Sequence, residues 1–71
     1  MAEDVVAEIV ASVLDVVAEP GQRLETTDTV VMLESMKMEI PVHPEEPGVV
    51  KEIKVKVGDV IQAGDVIAVM E

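Results

Sequence analysis

The chain has 71 residues, no cysteine, no Phe, Tyr or Trp, a single histidine, and a formal charge of −10 from 15 acidic and 5 basic residues. A core this small gives a thin stability margin, with no disulfide or thiolate metal site to support it. The charge repels phosphate backbones and anionic lipid heads, which argues against nucleic-acid and membrane binding.

The apolar content is biased, with 16 Val and 5 Ile against 3 Leu. β-Branched side chains fit pleated sheets and are stiff in helices, so composition favours an all-β fold. No apolar run is long enough to span a bilayer as a helix. The start, Met1-Ala2-Glu3-Asp4, is acidic and lacks the basic n-region of a signal peptide. A cytoplasmic protein is expected.

Taken alone, residues 3–19 have two readings. Val5, Ile9 and Val13, with Val6, Val10, Leu14 and Val17, fall at helical spacing, opposite Glu3, Asp4, Glu8 and Asp15. The rest of the chain decides against the helix, because it repeats at an offset of 37 residues. Residues 18–24 resemble 55–61, Thr27-Asp28-Thr29-Val30 resembles Gly64-Asp65-Val66-Ile67, and Leu33-Glu34 resembles Met70-Glu71. Residues 5–18 then match 42–55, a stretch that contains Pro44, Pro47 and Gly48 and ends in the period-two run Ile53-Lys54-Val55-Lys56-Val57. Proline inside a helix costs roughly 3 kcal/mol. Residues 5–17 are therefore expected as two short strands with a bend near Ala11.

Turns fall at Pro20-Gly21, Val57-Gly58-Asp59 and Ala63-Gly64-Asp65, with Gly64 expected at positive φ. Its counterpart, Thr26-Thr27-Asp28, lacks the glycine, so that turn differs or Thr27 is strained. The expected strands are 4–9, 12–17, 23–25, 30–34, 39–43, 49–56, 60–61 and 66–70. Eight short strands with a twofold repeat predict two small antiparallel sheets packed as a flattened barrel, one domain over residues 1–71.

Between the fourth and fifth strands lies Glu34-Ser35-Met36-Lys37-Met38-Glu39, a hairpin tip. Such tips usually carry Gly, Asn, Asp or Pro, whereas this one has a lysine between two methionines. A tip lysine projects free of the sheet while the strands fix its position. Met36 and Met38 are flexible and polarizable and adapt to apolar grooves. Strand alternation cannot bury both beside a turn without also burying Lys37. Glu34 and Glu39 read as solvated hairpin charges. His43 receives no role, and one histidine builds no metal site.

The stretch Met32-Leu33-Glu34-Ser35-Met36-Lys37-Met38-Glu39-Ile40 resembles the biotinyl-domain signature E-A-M-K-M, with Ser35 in place of Ala. Pro47-Gly48-Val49-Val50 and residues 57–65 are similar to that family's second half, so the likeness runs from about Val5 to Glu71. Related lipoyl domains share the fold but typically carry Asp-Lys-Ala at the tip. The resemblance implies covalent biotin on Lys37, with Met36 and Met38 read by a biotin protein ligase. It further implies a monomeric, non-catalytic carrier moving carboxylate between biotin carboxylase and carboxyltransferase sites. Lipoate on the same lysine, or an unmodified acidic adaptor docking through the Met-rich hairpin, are the alternatives. The repeat also places both termini at the end away from Lys37.

Overall fold

A computed structural model describes residues 3–71. Their elements are eight strands: β1 (Glu3–Val6), β2 (Ala11–Val16), β3 (Arg23–Leu24), β4 (Val31–Ser35), β5 (Met38–Val42), β6 (Gly48–Ile53), β7 (Val60–Ile61) and β8 (Val66–Met70). They form two four-stranded antiparallel sheets, ordered β1-β8-β6-β3 and β5-β4-β2-β7. The helical spacing of residues 3–19 is resolved as strand, bend and strand.

The repeat is carried down to the register. Adding 37 to β1 and subtracting it from β8 converts the pairs Glu3↔Met70, Asp4↔Val69 and Val5↔Ala68 into Ile40↔Leu33, Pro41↔Met32 and Val42↔Val31, which are the pairs of β5 with β4. The bulge between Val13 and Asp15 on β2 recurs between Val50 and Glu52 on β6. The two-residue strands match as well, with Ala11↔Ile61 in one sheet and Leu24↔Gly48 in the other. Each half therefore contributes strands to both sheets.

The core lies between the sheets and is filled by equivalent positions of the two halves. Leu33 and Met70, Val13 and Val50, Leu24 and Ile61, and Val30 and Ile67 are all buried. Truncating such a residue costs about 2–5 kcal/mol where the cavity cannot collapse. With no aromatic ring available, these aliphatic contacts are the stabilising core of the fold.

Several expected boundaries move. β1 stops at Val6 instead of residue 9, because the Ala7 N–H donates to Asp65 O at 2.9 Å and the Ala7 carbonyl accepts from Gly64 N at 2.8 Å. The bend thus occupies residues 7–10, and Ala11 already belongs to β2. β6 stops at Ile53 instead of residue 56, although the period-two pattern continues. Lys54 N–H still bonds to Ile67 O of β8 at 2.8 Å, but Lys56 N–H is taken by the Asp59 carboxylate at 3.0 Å. Side-chain periodicity outlasts strand pairing there because a turn claims the backbone. β7 and β8 keep the expected limits.

Chain direction fixes what lies at each end of the long axis, which measures 32 Å against 19 and 18 Å across. β2 begins next to the β4–β5 hairpin, with Ser12 opposite Glu34. β1 reaches that end through residues 7–10, so Glu3 and its partner Met70 lie at the other end. Glu71 continues there, paired with Val49 by two backbone hydrogen bonds of 3.0 and 2.7 Å. The expectation for Met1 falls outside the described residues.

Candidate functional site: the lysine hairpin

β4 carries the tip because it is the inner strand between β5 and β2, with Val31 and Leu33 buried beneath it. Ser35 pairs with Met38, leaving Met36 and Lys37 as a two-residue turn. Their φ angles are 54° and 63°, and they are the only non-glycine residues at positive φ among the described residues. Positive φ at both central positions is the type I′ hairpin turn, whose twist matches the strands and which favours Asn-Gly or Asp-Gly. A side chain bearing a Cβ costs roughly 1–2 kcal/mol in this region. The tip is thus strained at the two residues whose chemistry stood out in the sequence.

Met36 is 91 % exposed and Met38 65 %. Neither methionine serves the core. Lys37 is exposed and makes no ion pair among the described residues. Glu34 and Glu39 face each other across the stem, both exposed. Like charges opposite one another on a sheet do not stabilise it, so this pair reads as a solvated anionic collar beneath the amine. The arrangement presents one primary amine on a rigid stem, between two apolar side chains, with no cleft around it.

The other lysines are placed differently. Lys51 lies at the β6 bulge, and Lys54 is tied to Glu52 at 2.7 Å just past the strand. Lys56 has its backbone held by Asp59. None occupies a hairpin tip. No group of His, Cys, Asp and Glu able to hold a metal occurs among the described residues, and no helix among them is long and apolar enough to cross a membrane.

Sequence reasoning gave His43 no task, and the structure supplies one. Its Nδ1 lies 2.9 Å from Asp28 O. The signal was present in the sequence as Pro44, which cannot donate at the position equivalent to Ala7.

The architecture is that of lipoyl-type attachment domains. It superposes on the lipoyl domain of the 2-oxoglutarate dehydrogenase complex from Azotobacter vinelandii with a TM-score of 0.74 over 94% of this chain and 95% of that one, at 20% identity, a likeness of fold alone. The chain belongs to the biotin/lipoyl attachment family: the family model described as "Biotin-requiring enzyme" matches residues 2–70. Domains of this family are carriers and not themselves catalysts. A protein of Mycobacterium leprae named "Biotinylated protein TB7.3 homolog" is 61% identical over 70 residues, covering 99% of each chain. The urea carboxylase of Kluyveromyces lactis contains a region superposing on the whole of this chain with a TM-score of 0.93 and 35% identity, which is 6% of that much longer chain.

Proposed function

We propose that residues 1–71 make one biotin carrier domain, biotinylated on Lys37 by a biotin protein ligase. The observation that carries the reading is the exposed Lys37 amine on a type I′ tip between two exposed methionines. A fold that selects stability alone would place Asn-Gly there. Met-Lys-Met, together with the name of the Mycobacterium leprae relative, favours biotin over lipoate.

The tip fits the chemistry of attachment. Lys37 Nζ attacks the acyl carbon of a biotinyl adenylate held by the ligase. The new C–N amide bond forms as the acyl–phosphate bond breaks, AMP leaves with the electron pair, and the amine gives up a proton. β4 and β5 fix where the amine is offered, while Met36 and Met38 give the ligase an apolar surface to read. Biotin, once attached, supplies the nitrogen that carries a carboxylate. The domain supplies tethering, which raises the local concentration of that group at successive enzyme sites.

The partners that follow are a biotin carboxylase and a carboxyltransferase, in the cytoplasm, with the carrier acting as a monomer. The likeness to a region of a urea carboxylase supports the carboxylase partners. Coexpression with an active biotin ligase and intact-mass measurement test the reading. The expected mass is that of one biotinyl group, absent in Lys37→Arg. An unmodified wild-type mass, with the ligase shown to work on another acceptor, would overturn it. A lipoyl mass would convert the cofactor and leave the site.

A further inference from the structure

The two sheets do not close on each other everywhere. β1 and β5 are the outer strands of their respective sheets, and between them lies a groove of about 550 Å³. Its apolar lining includes Val6, Ile9, Ile40 and Val42. Val6 and Ile9 are 43 % and 42 % exposed, so the apolar surface is open to a ligand. Asp4, Glu8 and Glu45 also line it, and no Lys or Arg does. At one end the Glu3 carboxylate accepts the N–H groups of Glu45 and Glu46 at 2.9 and 3.2 Å, tying the two walls together. Ile40, the equivalent of Glu3, has no carboxylate with which to tie the end nearer the hairpin.

The walls differ in what their free edges offer. Counting from the hydrogen-bonded Ser35–Met38 pair that closes the turn, Met32↔Pro41 is a non-hydrogen-bonded pair. The nitrogen of Pro41 therefore faces the free edge and offers no N–H. Proline at that position is a common guard of an exposed edge. The equivalent residue on β1 is Asp4, paired with Val69 in the matching register. Its N–H faces the free edge and is available. At this position the β5 edge is blocked by proline and the β1 edge is open.

We propose that the open edge of β1 is a docking site for an extended basic–apolar segment of a partner protein, which adds as a further strand. Its alternate apolar side chains enter the groove against Ile9, Ile40 and Val42. Its lysines or arginines face Asp4, Glu8 and Glu45. Main-chain bonding to β1 supplies the affinity and alternation supplies the specificity. Charge complementarity selects this occupant over a second copy of the chain, whose net charge is −10. The site is independent of any group on Lys37.

The test uses the unmodified protein, labelled with ¹⁵N and titrated with a capped Lys-Val-Lys-Val-Lys peptide. Shift changes are expected in residues 3–9 and 40–45, with no response to the Glu-Val counterpart. N-methylation of alternate peptide nitrogens, in the frame that bonds β1, should weaken binding by at least about tenfold. Asp4→Pro copies the blocked edge of β5 and should abolish binding, whereas Asp4→Asn, which keeps the N–H, should only weaken it. A thermal melt on each variant confirms folding. No binding at about 2 mM peptide, shifts spread over the whole acidic surface, equal binding of the N-methylated peptide, or peptide-independent dimerisation through this edge would each overturn the proposal.

Discussion

His43 holds its Nδ1 2.9 Å from the carbonyl oxygen of Asp28, supplying the donor that Pro44 lacks. In the first half the same task falls to the backbone, where Ala7 N–H donates to Asp65 O at 2.9 Å. Ala7 and Pro44 are equivalent under the repeat, as are Asp65 and Asp28. With a carbonyl as acceptor, Nδ1 carries the proton in this bond. His43→Ala is expected to lower stability by about 0.5–1.5 kcal/mol, the value of one hydrogen bond at an exposed site. Pro44→Ala restores a backbone N–H, so its cost should be smaller in the His43→Ala background than in the wild type. Urea denaturation of the four proteins of this cycle checks it, and strict additivity would refute the substitution of one donor for the other.

The turns at Gly64 and Thr27 separate although they are equivalent in the repeat. Gly64 sits at φ +93°, while Thr27 is absent from the residues at positive φ. Both turns keep an Asp cap: the Asp65 carboxylate accepts from Gln62 N–H at 2.8 Å and the Asp28 carboxylate from Glu25 N–H at 2.8 Å. An added Cβ at Gly64 would meet nothing within 4 Å, so the cost of Gly64→Ala is one of backbone conformation, about 1 kcal/mol or more. Thr27→Gly should also destabilise, by about 0.5–1 kcal/mol, through the added freedom of the unfolded chain. A stabilising Thr27→Gly in thermal melts would show that Thr27 is strained after all.

Strain at the tip predicts opposite effects on stability and on modification. Met36→Asn places a residue tolerant of positive φ at 54°, and should stabilise the fold by about 0.5–1 kcal/mol. It also removes an apolar side chain that is 91 % exposed, and the rate of ligase-catalysed biotinylation should fall. Denaturation curves and the time course of the intact mass read the two effects separately. A stabilised variant that is modified at the wild-type rate would leave the methionine without a recognition role.

Met36→Leu with Met38→Leu keeps volume and apolarity. Both positions are exposed, so stability should change by less than about 1.5 kcal/mol. Biotinylation should nevertheless slow, because leucine is branched and less adaptable than the thioether chain. An unchanged rate in the double variant would mean that the ligase reads the fold alone.

Composition and spacing determined much of this protein. Its Val and Ile content, the 37-residue offset and the turn residues at Gly21, Gly58 and Gly64 were enough for eight strands in two sheets. They also resolved residues 3–19, whose local pattern permitted a helix. The hairpin holding Lys37 was legible because its side chains break the usual chemistry of tips. What the sequence left open was decided by backbone hydrogen bonds between distant segments. Ala7 joined to the Gly64–Asp65 turn cut β1 short. The same holds for His43, whose task exists only because folding sets Pro44 beside Asp28, and for the unequal edges of β1 and β5. Side-chain periodicity is a local property of the chain and can be read from it. The pairing of an N–H with a carbonyl tens of residues away, and the strain a pairing imposes at Met36 and Lys37, exist only once the two halves have packed against each other.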